Sequence, residues 1–435
     1  MTASVRASRA TAPLQRWAEV DLGAVRHNVR ALAALATPAR LCAVVKADAY
    51  GHGAIPVAEA ALAAGASSLA VDSIDEAVDL RLAGIDTQIL VLSEPDRESA
   101  CEIVEFGLTP LLSSRDAAYT LAGMVRASGR TRQLPVHLSV DTGLAGIGCP
   151  LEEAVGLSTE IAQQPELVLE GVCTHFAVAD QPDHPFTQQQ LNHFMQLLDA
   201  IRAEGVSIDL VHIANSAAAL TMPQTHFDMI RCGSGIYGIE AAGALTGALT
   251  LRPALCVKAR VTRVQLFPAG TRTSYGLRYQ LPRAAYIATL PIGYAAGIPP
   301  SMATGGQVLI RGQRCPIAGD IMMDHLFVDV GMMELQVGDV AVLLGRQGDQ
   351  EITVIELAKR LGTIADAIVC TIADVHGRAP TARSVFGTRC SARRMPSRER
   401  NAGRRREGRA GRGQLACRLA SERGRRVPTR FGEPA

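Results

Sequence analysis

LCAVVKA (41–47), VAEAALAAG (57–65), SLAVDS (68–73), DEAVDLRLAG (75–84) and QILVLS (88–93) follow one another with little between them, and this alternation decides the fold. Each short Val/Ile/Leu run is apolar on both faces, as a strand must be when helices cover it on either side. The Ala/Leu-rich segments between are amphipathic at helical spacing. Strand and helix in that rhythm build a parallel sheet. The alternation runs from Trp17 to about Gly247, and so many units favour closure into an α/β fold of the (β/α)8 TIM-barrel type. A doubly wound sheet is the structural alternative, but no G-x-G-x-x-G follows a strand. From about Ala248 to Val330 the pattern changes to β-branched segments with Gly/Pro turns: CVKARVTRVQLFPAG, YIATLPIG, GGQVLIRGQRCPIAG and HLFVDVG. These predict a mainly antiparallel β domain, with a helix over 354–361 after it. The expected organisation is a disordered arm over 1–16, a barrel over 17–247, a β domain over 248–380 and a disordered tail over 381–435.

Of 435 residues, 48% are hydrophobic, enough to bury a large core in more than one domain. No apolar run is long enough to span a membrane, and Met1 to Arg16 lacks the continuous apolar core of a secretory signal. A cytoplasmic protein is expected. The cysteines are scattered singly, so reduced, buried thiols are expected rather than a metal or redox site. The net charge of +2 conceals an asymmetry, since 381–435 holds 16 Arg against 4 Glu, a net of +12, which leaves −10 for residues 1–380. That Arg/Gly-rich tail cannot bury enough apolar area to offset its ordering entropy. It also lacks the interleaved aromatics of a nucleic-acid binder, so no nucleic-acid partner is expected.

The first chemical signal is VVKADAYGHG (44–53), in which Lys46 ends an apolar strand and a Gly-punctuated loop follows. In a barrel this places an amine at the carboxyl-terminal mouth, where it can form an imine with a carbonyl cofactor. A lone lysine at a strand end is more often a solvated terminus, and a lone His175 or His212 is more often a bonded core histidine. Their company changes that reading.

WAEVDLGAVRHNVRAL (17–32), VVKADAYGHG, VDTGL (140–144), THFAVADQPDHPFTQQQLNHF (174–194), HIANSAAAL (212–220), RCGSGIYG (231–238), LRPALCVKARV (251–261), SYG (274–276), IATLPIGYA (287–295), MMD (322–324) and LGTI (361–364) together resemble the alanine racemase family, in order and in spacing, from Trp17 to Ile372. The resemblance implies a barrel joined to a β domain, a homodimer with shared active sites, and pyridoxal 5'-phosphate (PLP) held by Lys46. It implies that Tyr50, Ser216 and the backbone of Gly233 and Ser234 cradle the phosphate, with His212 and Asn215 in the same cofactor site. His175 would lie against the pyridine ring and Arg231 would face its nitrogen. A guanidinium cannot accept a proton, so that nitrogen would stay unprotonated, which favours return of a proton to Cα over other fates. By the same resemblance Lys46 and Tyr275 from the partner chain are the two bases of racemisation, Tyr294 narrows the mouth, and Met323 offers its backbone N–H to the substrate carboxylate. The implied reaction interconverts L- and D-alanine and supplies D-alanine for peptidoglycan.

The chain departs from the family at several places. Ser139 and Gly146 stand where a lysine and a carboxylate-binding arginine are usual, Ala296 replaces an aspartate and Asp320 an arginine. No tyrosine sits at the expected carboxyl-terminal phosphate contact. Losing one charge-assisted contact costs about 1.5–3 kcal/mol, roughly 10- to 150-fold in affinity. A racemase of another small amino acid and a PLP-binding protein without turnover are therefore the alternatives. A decarboxylase or aldolase on the same scaffold is disfavoured by Arg231.

Overall fold

The computed structural model describes residues 14–239, 249–372 and the strand at 378–380. The expected arm up to residue 13, the expected boundary at 247/248 and the Arg-rich stretch over 381–435 lie outside the described residues.

After β1 (Arg16–Val20), the first unit contains β2 (Arg40–Val44), β3 (Ser68–Val71), β4 (Ile89–Val91), β5 (Thr109–Leu112), β6 (Leu134–Asp141), the short β7 (Cys149–Pro150), β8 (Leu167–Cys173), β9 (Leu210–His212) and β10 (Met229–Cys232). All pair in parallel, in the order β10-β2-β3-β4-β5-β6-β8-β9, with β7 on the flank of β6. No ladder joins β9 to β10. Instead the seam is bridged by Asp228 N–H to Val211 O (3.1 Å), Val211 N–H to Asp228 Oδ2 (2.8 Å) and Arg231 N–H to Ala214 O (2.9 Å). The result is a nearly closed eight-stranded TIM barrel flanked by helices, the architecture that the strand and helix alternation predicts.

Several helices start where the sequence offers caps. Asp21 accepts from the N–H groups of Gly23 and Ala24 at the head of Leu22–Ala36, and Ser73 with Glu76 forms a capping box at the head of Ile74–Leu82. The large apolar core lies between barrel and helices and runs on into the second unit. A second, smaller cluster fills the barrel itself: Cys42, Val44, Ala70, Leu90, Leu111, Cys173 and Met229. It shares that interior with buried polar groups, among them His137, Ser139, His212 and Arg231.

The second unit contains β11 (Leu255–Arg260), β12 (Arg263–Phe267), β13 (Arg272–Thr273), β14 (Tyr279–Gln280), β15 (Ala285–Leu290), β16 (Gln307–Ile310), β17 (Gln313–Pro316), β18 (Leu326–Asp329), β19 (Val340–Gln347), β20 (Gln350–Ile352) and β21 (Arg378–Pro380). Its larger sheet runs β17-β16-β19-β11-β1-β21 and a smaller one runs β12-β15-β18. Every pairing is antiparallel except that of β1 with β21. The first strand of the chain thus belongs to the second unit, with Trp17 opposite Lys258 and Val20 opposite Leu255. The helix expected over 354–361 is Val354–Leu361, capped by the Thr353 hydroxyl, and a further helix, Ala365–Ile372, follows it.

Candidate active site

Lys46 stands two residues beyond the end of β2, and the backbone after it takes an unusual course. Ala47, Asp48, Ala49 and Tyr50 all have positive φ, between 51° and 56°, forming one left-handed turn that Gly51 closes. Side chains disfavour this conformation, so such a turn persists only where its surroundings over-determine it. Here they do. The Glu76 carboxylate accepts the Ala47 N–H and also those of Asp72 and Ser73, and Asp48 accepts the Ala54 N–H at 2.6 Å. The Tyr237 hydroxyl donates to Val44 O at 2.8 Å, and its ring packs on Tyr50. At the end of β3, Asp72 receives the Lys46 ammonium at 3.1 Å.

Arg231, on β10, is buried, and its guanidinium is held on two sides. One terminal nitrogen donates to His212 Nδ1 (2.7 Å) and His212 O (2.8 Å), the other to Thr174 O (2.9 Å) and His175 Nδ1 (3.2 Å). Nε–H is the one guanidinium donor for which no partner falls among the described residues. His212 is fully buried beneath Arg231 and supports it rather than lining the mouth. Burial first, then Arg231, holds the His212 imidazole far below its ordinary range. His175 shows a ring edge at the mouth, but surrounding protein, Arg231 and Lys46 bring its pKa down to about 4. It is therefore neutral near pH 7, with its proton on Nε2 because Nδ1 accepts from Arg231.

Beyond β9 and β10 lies a cluster of small residues. Asn215 caps the helix Ser216–Thr221 through the Ala218 N–H (3.0 Å), and Ser216 Oγ accepts the Gly235 N–H (3.1 Å). Ser234 Oγ donates to Asp366 at 2.6 Å. A Cβ on Gly233 would collide with the Tyr50 hydroxyl, so only glycine lets the two elements approach this closely. Lys46, Tyr50, Ser139, His175, Asn215, Ser216, Arg231, Gly233 and Ser234 all lie at or just beyond the carboxyl ends of barrel strands.

Tyr275, Tyr294 and Met323 lie on the second unit and are 72%, 44% and 55% exposed. No hydrogen bond or ion pair joins them to Lys46 among the described residues. Their loops are tied together in pairs: Tyr294 N–H and Ala295 N–H donate to Met322 O and Met323 O (3.1 and 3.0 Å). Thr273 Oγ1 donates to Ala318 O at 2.7 Å and Ser274 Oγ to Asp320 O, next to the 322–323 loop.

Ser139 is buried on β6, opposite Cys173 of β8. Gly146 sits in open space, with nothing within 4 Å of an added Cβ. Between them, Asp141 accepts from Gly143, Ala145 and Gly146 N–H (2.8, 3.1 and 3.0 Å). Partial burial pushes its carboxyl up, but these backbone donors outweigh that and hold it below the usual range.

Several site residues escaped the sequence reading: Asp72, Glu76, Asp366, His137 and Glu170. Glu170 carried a signal, being the one charge in the strand LVLEGVC, where an acid needs a partner. His137 stands two residues before Ser139 and so shares its face of β6.

Does PLP fit these residues? It needs an amine, a donor for its ring nitrogen and a cradle for its phosphate. Lys46 supplies the amine, Arg231 has one N–H left over, and the small residues around Gly233, with Ser216 and Tyr50, supply close backbone and hydroxyls. The residues fit.

Fold and site together define an α/β-barrel protein with an appended β domain, whose chemistry gathers at the carboxyl ends of the barrel strands. Residues 20–241 match the model of the alanine racemase N-terminal domain, and residues 254–379 that of its C-terminal domain. The alanine racemase of Symbiobacterium thermophilum is 44% identical over 357 residues, covering 82% of this chain and 94% of that protein. That of Desulforamulus reducens is 40% identical, covering 82% and 96%. Among solved structures, alanine racemase from Streptomyces lavendulae is similar with a TM-score of 0.79 at 38% identity, covering 85% of this chain and 98% of that one. A histidine racemase from Leuconostoc mesenteroides is similar with a TM-score of 0.78 at 30% identity, covering 85% and 99%. The chain belongs to the alanine racemase family.

Proposed function

We propose that this protein is a PLP-dependent alanine racemase, working as a cytoplasmic homodimer and supplying D-alanine for peptidoglycan. The observation that carries the reading is the meeting of Lys46, on its braced turn, with Arg231 at one barrel mouth. When bound, the cofactor supplies a conjugated ring that spreads the charge left at Cα once its proton departs. The amine of Lys46 moves the proton on one face of Cα. Arg231 would hold the ring nitrogen by donation, and because a guanidinium keeps its protons, it would leave that nitrogen unprotonated and favour return of a proton to Cα. On the other face the base is Tyr275 of the partner subunit, whose high exposure within one chain suits a group that completes a neighbour's site. To act as a base the phenol must lose its proton, and neutral His175 can donate from Nε2 to its oxygen.

The experiment is α-proton exchange in deuterated water, followed by NMR with PLP-loaded protein and both enantiomers of alanine. Exchange should vanish in Lys46→Ala, and Tyr275→Phe should lose exchange from one enantiomer far more than from the other. Exchange only with another amino acid, such as histidine, would keep the chemistry and move the substrate. PLP uptake without any exchange would favour a binder without turnover, the reading that Ser139 and Gly146 support.

A further inference from the structure

A line of polar side chains crosses the barrel interior beneath the site. Arg231, on β10, donates to His212 Nδ1, on β9, at 2.7 Å; His212 Nε2 meets His137 Nδ1, on β6, at 2.7 Å; and His137 Nε2 meets Glu170 Oε2, on β8, at 3.0 Å. Glu170 is in turn reached by Gln88, which also donates to Thr109 at 3.3 Å at the amino-terminal side of the barrel. Both histidines are 0% exposed.

The relay has only one consistent proton arrangement. At one end a guanidinium can only donate, and at the other an ionised carboxylate can only accept. His212 must therefore leave Nδ1 bare toward Arg231 and carry its proton on Nε2. That proton points at His137 Nδ1, which must also be bare, so His137 carries its proton on Nε2 and gives it to Glu170. Burial holds both imidazoles below their ordinary range, and the bond from His137 holds the Glu170 carboxyl below its own. Two neutral rings and one carboxylate follow.

We propose that Glu170 is a positioning residue for Arg231, acting across the barrel through His137 and His212. By fixing both rings as Nε2–H, it keeps a lone pair on His212 Nδ1 for the guanidinium. With that acceptor on one side and Thr174 O and His175 on the other, Arg231 cannot turn, and its remaining donor, Nε–H, stays free for the cofactor. Without an acceptor at position 170, His137 can reverse its proton to Nδ1 and drive His212 to place a proton against Arg231. The guanidinium must then shift.

The consequence for the cofactor rests on the racemase reading, whereas the tautomers do not. The test is nitrogen NMR of the PLP-loaded protein with labelled histidine. It is run on the wild type, on Glu170→Met, which fills the space without an acceptor, and on Glu170→Gln, whose amide oxygen still accepts from His137. Wild type and Glu170→Gln should show bare Nδ1 atoms on both rings at neutral pH. Glu170→Met should show protonated Nδ1, a shifted cofactor absorption band and roughly tenfold weaker PLP binding. A protonated Nδ1 on either ring of the wild type overturns the proposal even if Glu170→Met does not fold. So does a folded Glu170→Met that loses stability yet keeps the tautomers and the band, or a Glu170→Gln that behaves like it. Failure of the wild type to take up PLP would sink the racemase reading instead and leave the tautomers to decide the relay.

Discussion

Replacing Ala47 by glycine should make the protein more stable, against the ordinary effect of that substitution. Ala47 begins the left-handed run at φ 51° and ψ 50° and is exposed, so its methyl contributes little packing. Left-handed backbone costs a side-chain-bearing residue about 1–2 kcal/mol, which glycine removes. The added freedom of the unfolded chain returns about 0.5–1 kcal/mol of that. The net gain is about 0–1.5 kcal/mol, centred near 0.7, or roughly 1–3 °C in melting temperature at that centre for a unit of this size. The hydrogen bond from residue 47 to Glu76 uses the backbone and survives. The control is Ala34→Gly, the same chemical change on the exposed side of the helix Leu22–Ala36, which should cost about 1 kcal/mol. Calorimetry of the two PLP-loaded variants beside wild type reads opposite signs if the turn is strained. A loss in Ala47→Gly equal to that in Ala34→Gly would refute the reasoning. Racemisation by Ala47→Gly should fall severalfold, because the turn that aims Lys46 becomes looser.

Gly233→Ala should weaken PLP binding by about tenfold or more and lower the melting temperature, since the new Cβ meets the Tyr50 hydroxyl. Removing that oxygen with Tyr50→Phe should restore part of the stability in the double variant, and strict additivity of the two losses would contradict the close approach. Stability should fall as pH drops from about 6.5 toward 5, because unfolded imidazoles take up protons there while the buried His137 and His212, whose folded pKa values are lowered, refuse them. The slope is at most about 1.4 kcal/mol per pH unit for each ring, and it should shrink in His212→Asn; a flat stability profile over this range would count against neutral, buried rings. Gly146→Arg should fit without disturbing the fold, and it should lower KM for alanine by up to roughly 10- to 150-fold if carboxylate binding is what the glycine lacks. An unchanged KM would mean that another group already binds the carboxylate.

Fold class was legible because the barrel depends on local periodicity: LCAVVKA, SLAVDS and QILVLS each became a strand of the predicted kind. The resemblance singled out Lys46, His175, Ser216, Arg231 and Gly233, and the fold brings them to one mouth. What stayed hidden is what depends on distance in space. Glu76 completes the capping box with Ser73, but its carboxylate also reaches across to the turn after Lys46, which no local pattern signals. The left-handed run ADAY contains no glycine and gives no sign of its conformation, since tertiary contacts impose it. His137 and Glu170 are far apart in sequence and meet only because β6 and β8 are neighbours. Asp366 lies on a helix that the periodicity did not mark.

The pairing of β1 with β11 gives synthesis a particular schedule. Val20 leaves the ribosome 235 residues ahead of Leu255, its partner. At a rate of about 5–20 residues per second, that is a wait of roughly 10–50 s. Throughout this time the whole barrel can be made and closed while RWAEV, whose Trp17, Ala18 and Val20 are buried in the finished fold, still has a bare hydrogen-bonding edge. A gene cut between the two units would leave that edge permanently without its mate on one fragment and open a gap in the sheet of the other. The two pieces should therefore be insoluble when expressed alone and recover when expressed together, so the strand made first is a clasp that only the second unit can fasten.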